Sequence, residues 1–134
     1  MLILKRDFFT QIVQHCKREL PDEACGILAG KNNTAEKVYT MANAQKSPEN
    51  YLMDPKEQLR VMKEMRSCGL EMLAIYHSHT VSQAYPSKRD IEMAFYPDTS
   101  YVILSLQDKD NPRIRSFKIA EGKVTEEEIK ITEA

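Results

Sequence analysis

Apolar residues recur early in the chain at Phe9, Ile12, Val13, Cys16 and Leu20, intervals of i, i+3, i+4, i+7 and i+11. A period of 3.6 predicts one amphipathic helix, which Pro21 stops. The pattern then changes to the continuous apolar run Ala24-Cys25-Gly26-Ile27-Leu28-Ala29, closed by Gly30, which suits a strand covered on both faces. A polar turn at Lys31-Asn32-Asn33-Thr34 leads to a second strand over residues 37–41, and the polar, irregular residues 42–50 read as loop. Asp54-Pro55-Lys56-Glu57 predicts a helix start. Asp54 accepts from exposed amides, Pro55 suits the first helical position and Glu57 completes a capping box. Leu59, Val61, Met62, Met65 and Cys68 form its apolar face, and Gly69 is placed to end it. Residues 70–76 read as a buried strand. Pro86-Ser87-Lys88-Arg89-Asp90 opens a short helix with Ile91, Ala94 and Phe95 inward, stopped at Pro97. Residues 101–106, 114–120 and 123–131 read as three closing strands, joined by turns at 108–112 and at Glu121-Gly122. This order predicts a mixed α/β domain with helices packed against a sheet.

Composition narrows the class. At 134 residues, 42% of them apolar, the chain fits a single domain over 1–134. It can bury roughly two-thirds of its unfolded surface. Nineteen Lys and Arg against 20 Asp and Glu leave a net charge of −1, so no basic face for phosphate backbones is implied and no nucleic-acid partner is expected. Apolar stretches such as 72–76 are too short to cross a bilayer, and the opening residues reach Lys5-Arg6 without a signal-like apolar region. The expectation is a cytoplasmic protein without a membrane partner. Cys16, Cys25 and Cys68 cannot all pair within the chain and lack the short spacing of a zinc knuckle, so reduced, mostly buried thiols are expected. The pattern sets no oligomeric state.

Chemistry concentrates in a few positions. His77-Ser78-His79 falls where the strand over 70–76 is expected to run out, and side chains two apart in an extended chain face one side. Seven residues later comes Ser87, and three after that Asp90. With Ser87 capping the short helix, Asp90 lies in its first turn and can face back toward the strand end. Two imidazoles and a carboxylate leave a tetrahedral Zn²⁺ one position for water. Glu23, at the start of the first apolar strand, is the candidate base. On the residues alone, plainer readings stand beside these: an ordinary capping box, one packed and one solvent-facing histidine, a solvated Glu23.

Glu23 within Pro21-Asp22-Glu23-Ala24-Cys25-Gly26-Ile27-Leu28, followed by His77-Ser78-His79, Ser87 and Asp90, resembles the JAMM motif of MPN+ metalloproteases. All five motif positions match in type and spacing, and the order of predicted elements fits a minimal MPN domain. The resemblance implies a single JAB1/MPN, cytidine-deaminase-like domain: a mixed β-sheet flanked by helices. It implies one Zn²⁺ per chain on His77, His79 and Asp90, with Glu23 as general acid/base and Ser87 positioning water or stabilising an oxyanion. The reaction implied is hydrolysis of a peptide or isopeptide bond. Thr80 replaces the Pro that many members carry after the second histidine, and Ile75 replaces a Trp common in eukaryotic deubiquitinating members, which bears on substrate choice. The chain is similar to the compact prokaryotic branch, some members of which act on the C-terminal Gly-Gly tail of ubiquitin-like sulfur carriers. Such a tail is extended and without side chains, and residues 42–50 and 80–85 are the expected groove walls. Tyr76 and Tyr85 flank the site as candidate contacts or, alternatively, as buried structural tyrosines. His15 and the run Glu126-Glu127-Glu128 carry no expected role, the run reading as a solvated strand edge.

Two other classes compete with this reading. A non-catalytic MPN scaffold would bind partners only, but that branch usually lacks the ligand set present here. A zinc deaminase needs His-x-Glu and Cys-x-x-Cys, which the three cysteines cannot supply.

Overall fold

The computed structural model describes residues 1–133, so the last residue of the expected 1–134 unit lies outside the described residues. The elements run β1 (Leu2–Lys5), α1 (Arg6–Arg18), β2 (Cys25–Lys31), β3 (Thr34–Met41), α2 (Pro55–Ser67), β4 (Glu71–His79), α3 (Lys88–Glu92), β5 (Ser100–Ser105), β6 (Arg113–Ala120), β7 (Lys123–Glu127) and β8 (Ile129–Thr132). All eight strands share one sheet in the order β7-β6-β5-β4-β2-β3-β1-β8. It is mixed: β4 and β5 are parallel, as are β1 with β3 and β1 with β8, while the β2–β3, β2–β4, β5–β6 and β6–β7 pairs are antiparallel.

Strand alternation divides the core between two faces. Ile27, Ile75, Ile103 and Phe117 turn to one face, where Val61 and Met65 of α2 cover them. Leu28, Tyr76, Val102 and Leu104 turn to the other, against Ile12 and Cys16 of α1. The expected α/β architecture therefore holds, with one long helix on each side of the central strands. Gly26, paired with Tyr76, has no room for a side chain, because a Cβ there would collide with the Tyr76 ring. Among the described residues no helix is long and apolar enough to cross a membrane.

Several local expectations change. Residues 2–5, unassigned by pattern, form β1, and the expected strand over 123–131 is two strands. Although β7 and β8 lie at opposite ends of the strand order, only Glu128 separates them in sequence. The sheet must therefore curl until its margins approach, and Leu2 N donates to Glu128 O at 2.9 Å. Glu127 is no solvated edge residue: its Oε1 accepts from Ser100 Oγ and from Ser116 Oγ, the latter at 2.8 Å. Asp54 caps α2 through Lys56 N at 3.0 Å. Glu57 does not complete a box; its Oε1 accepts from Ala42 N at 2.9 Å, tying the helix to the end of β3. Leu59 is 55% exposed, because α2 buries only the narrow stripe of Val61 and Met65. Phe95 is 67% exposed, because α3 ends at Glu92 and the helical period no longer aims it inward. Cys16 and Cys25 are buried and Cys68 exposed, all three free.

Candidate metal centre and active site

The strand β4 does not run out at Tyr76 but stays extended through His79. Ile75, His77 and His79 consequently share a face, and both imidazoles project beside each other at the carboxyl end of the parallel β4–β5 pair. Their Nε2 atoms are 3.2 Å apart. His79 Nδ1 donates to Gln83 O at 2.8 Å, which fixes the ring so that its Nε2 lone pair faces His77. The carbonyl of His79 accepts from Leu106 N, and Ser105 Oγ donates to Ser82 O at 2.6 Å, pinning the loop that supplies Gln83.

The third group arrives on α3. Ser87 caps this helix: its Oγ accepts from Asp90 N at 3.1 Å, while Asp90 Oδ2 accepts from Ser87 N at 2.9 Å. The capping box and the ligand reading are not alternatives. The same Oδ2 lies 3.1 Å from His77 Nε2 and 3.0 Å from His79 Nε2.

Glu23 is brought in by β2. The antiparallel register pairs Cys25 with His77, and just beyond it Ser78 N donates to Ala24 O at 3.0 Å and Ala24 N to Ser78 Oγ at 2.8 Å. Continuing that register sets Glu23 opposite His79. The backbone of Glu23 is held by its N–H to Ser47 O at 2.8 Å and by Asn43 Nδ2 donating to its carbonyl at 3.0 Å. Its side chain is 4% exposed, and Oε1 has no hydrogen-bond partner. Glu23, His79 and Ser87 together line a cleft of about 200 Å³, walled by Pro48 and Glu49 on one side and Thr80, Val81 and Ser82 on the other. Thr80 Oγ1 donates to Pro48 O at 3.1 Å, tying the two expected walls together.

Burial and charge set the protonation tendencies. Burial pushes the Glu23 carboxyl up to about 8, with Asp90 adding to the rise and His79 and Arg89 opposing it. Burial pulls His77 down despite Asp90. For His79 burial acts downward too, but Asp90, the Gln83 carbonyl and Glu23 outweigh it and raise the ring. Asp90 is lowered: its burial is overcome by the two imidazoles and the Ser87 amide.

The donor set suits a small divalent cation. His77 Nε2, His79 Nε2 and an Asp90 carboxylate oxygen all lie within 4.8 Å of one another. Ligands tetrahedrally bound at about 2.0–2.1 Å stand roughly 3.3 Å apart, close to the spacing of these three atoms. Two imidazole nitrogens facing each other beside a carboxylate also need a cation or a proton between them, and two nitrogens with one oxygen is a borderline, zinc-like donor chemistry.

Of the candidate site residues, Glu23, His77, His79, Ser87 and Asp90 converge here and the tyrosines do not. Tyr76 is fully buried on the opposite face, where its hydroxyl meets His15 Nδ1 at 2.7 Å. Tyr85 is 43% exposed and packs edge-on against Phe117, with rings 5.4 Å apart. Sequence reasoning missed Tyr51, whose ring stacks on His77 at 4.5 Å, as well as Asn43 and Ser78. A lone Tyr in a loop and polar residues that serve only the backbone carry no periodic signal.

Residues 5–120 match the family described as "Prokaryotic homologs of the JAB domain". A "CysO-cysteine peptidase" of Mycobacterium tuberculosis is 40% identical over 135 residues, covering 99% of this chain and 92% of that protein. A "Probable TtuB-protein conjugate cleaving protease" of Thermus thermophilus is 36% identical over 123 residues, covering 91% of this chain and 78% of that one. The solution structure of a Desulfitobacterium hafniense protein superposes with a TM-score of 0.91 at 40% identity, covering 100% of this chain and 94% of the other. Family match, likeness to peptidases along nearly the whole chain and the shared fold together make this chain a compact prokaryotic member of the JAB/MPN family, among its JAMM peptidases, which hydrolyse peptide or isopeptide bonds.

Proposed function

We propose that this chain is a zinc-dependent peptidase that cuts after the C-terminal Gly-Gly of a ubiquitin-like sulfur-carrier protein. The observation that carries the reading is the convergence of His77 Nε2, His79 Nε2 and Asp90 Oδ2 next to a buried, unpartnered carboxyl oxygen of Glu23. His77, His79 and Asp90 would hold one Zn²⁺ per chain. When bound, such an ion supplies Lewis acidity, making water nucleophilic at neutral pH and polarising a scissile carbonyl.

The protein's own groups do the rest. Glu23 takes the proton that the attacking water gives up and passes it to the leaving amine; its buried Oε1 has no competing donor. Ser87 Oγ already accepts from Asp90 N, which leaves its O–H free to donate to the developing oxyanion. The Gln83 carbonyl and the α3 capping box hold the imidazole of His79 and the carboxylate of Asp90 before substrate arrives. The cleft between residues 42–50 and 80–85, bridged by Thr80 and Pro48, favours an extended tail without side chains. The relatives named for a CysO-cysteine peptidase and a TtuB-conjugate protease support that substrate class. Buried thiols at Cys16 and Cys25, each pushed up to about 12 by burial, fit a reduced, cytoplasmic setting.

The test is incubation of zinc-loaded protein with carrier proteins extended beyond Gly-Gly, reading products by mass. Cleavage after the second glycine supports the reading; intact carriers alongside cleavage of an unrelated peptide would replace it.

A further inference from the structure

Which leaving group the cleft accepts can be read from the charges around Glu23, given the Gly-Gly reading above. The amine leaves from beside Glu23, since that carboxyl protonates it. If the residue released is a free amino acid, its α-carboxylate lies only two bonds from that nitrogen. The cleft lining there carries the carboxyls of Glu23 and Glu49 and, among the described residues, no lysine or arginine to receive it. A lysine side chain leaving from an isopeptide carries no charge there. Acceptance of an amino-acid leaving group is therefore favoured by a cation at this spot that is not itself a metal ligand.

Arg89 meets the requirement. It follows Ser87 by two residues and precedes Asp90, so α3 fixes its backbone at the edge of the cleft. Arg89 is half-buried, and its hydrogen-bond partner is neutral: Nη2 donates to Gln45 Oε1 at 3.4 Å, on the segment over residues 42–50. Among the described residues no carboxylate forms an ion pair with it. Its charge acts on Glu23 as well. A planar fork of donors with unspent capacity is suited to a carboxylate, and a weak contact to an amide is easily exchanged for a charge-assisted one.

We propose that Arg89 binds the α-carboxylate of the residue released after Gly-Gly, and so selects amino-acid leaving groups over lysine isopeptides. The binding step makes no covalent change; the guanidinium exchanges the Gln45 amide for the carboxylate.

The experiment uses the zinc-loaded protein and one Gly-Gly-tailed carrier extended by a single alanine, prepared as the free acid and as the carboxamide. The free acid should be cleaved with kcat/KM about tenfold or more above the amide, the worth of one charge-assisted hydrogen-bonded pair. In Arg89→Gln that ratio should collapse to about one, with the loss on the acid appearing mainly in KM, and Arg89→Lys should restore part of it. Equal cleavage of acid and amide by the unaltered protein, or an Arg89→Gln variant that slows both by the same factor, overturns the proposal while leaving the peptidase intact. Cleavage of neither overturns the Gly-Gly reading itself, and the role of Arg89 with it.

Discussion

Ser87 and Asp90 hold each other by two reciprocal hydrogen bonds, Asp90 N to Ser87 Oγ at 3.1 Å and Ser87 N to Asp90 Oδ2 at 2.9 Å. The oxygen that closes this box is the one that faces both imidazoles. The cap thus orients the carboxylate, and a five-residue helix too short to be stable alone gains a fixed place in the fold. Asp90→Ala keeps the Ser87 hydroxyl bond to the residue-90 amide, so the metal-free protein should lose no more than about 1 kcal/mol. Zinc retained on purification should fall from about one ion per chain to near none, as it should in His79→Ala. Metal analysis of both variants checks this; full occupancy in either would mean that the ligands are misassigned.

Glu23 is separable from the metal. Its Oε1 is buried without a partner, and its backbone is held independently through Ser47 and Asn43. Glu23→Gln and Glu23→Ala should therefore keep zinc and the melting temperature while cleavage drops by about 10²–10⁴-fold, the usual worth of a positioned acid–base group. Turnover at the parent rate in a zinc-loaded Glu23→Ala protein would remove Glu23 from the mechanism.

What was legible in the sequence followed from periodicity and spacing. The strip Phe9 to Leu20 and the run from Ala24 to Ala29 carry their own patterns, and both form the elements expected. The spacing of His77, His79, Ser87 and Asp90 carries the cluster, because strand alternation and one helical turn act locally. Glu23 was a candidate from its place at the start of the apolar strand and from the family motif, but its approach to His79 was not legible from spacing, since the β2–β4 register that brings it there is non-local. Tyr51 and Asn43 were illegible for the same reason: each acts through a loop whose course depends on tertiary contacts. The split of residues 123–131 was hidden too, because two strands separated by a single residue read as one alternating run, and only closure of the sheet pulls them to opposite margins.

Ser87 is a helix cap and the proposed oxyanion donor, and Ser87→Ala tests the two through different readouts. Ser87→Ala removes the cap bond to Asp90 N, costing about 1 kcal/mol of stability. It also removes the proposed oxyanion donor, so kcat should fall by about 10²–10³-fold with zinc still bound. Assayed well below the melting temperature, the first loss does not contaminate the second. A decrease in kcat of less than about threefold would leave Ser87 a helix cap and nothing more.

The His15–Tyr76 bond makes stability depend on pH. His15 is buried against the Tyr76 hydroxyl at 2.7 Å. Burial lowers its pKa, with Glu19 partly opposing and Arg18 reinforcing. The folded value is below the unfolded one of about 6.5, so the unfolded chain binds more protons in between. The contribution is then complete above about 6.5 and is lost as pH falls through the folded value. Denaturant titrations should show His15→Gln destabilised most at pH 8, with the gap to the parent narrowing toward pH 5. Tyr76→Phe should cost about 1–3 kcal/mol at pH 8 by leaving the ring nitrogen unpaired. A gap that stays constant with pH would show that His15 does not titrate differently on folding.

Glu127 supplies the complementary case, a clasp remote from the chemistry. Its carboxylate, 13% exposed, takes the hydroxyls of Ser100 and Ser116 where the curled sheet brings its margins together. Burial works to raise its pKa, but the two hydroxyls outweigh it and the carboxyl is held below the ordinary range. For a depressed acid the stabilisation is present above the unfolded value of about 4.3 and disappears as pH falls through the folded one. Glu127→Ala strands two buried serine hydroxyls and should lower stability by about 1–3 kcal/mol at pH 7. Its acid limb should also be shallower than the parent's. Ser100 begins β5 while Ser105 ends it beside His79, a separation of about 17 Å along the strand. The kcat of the folded variant should consequently match the parent. A fall in kcat of tenfold or more at temperatures where Glu127→Ala is fully folded would show that the sheet margins are coupled to the cleft, contrary to a purely structural clasp.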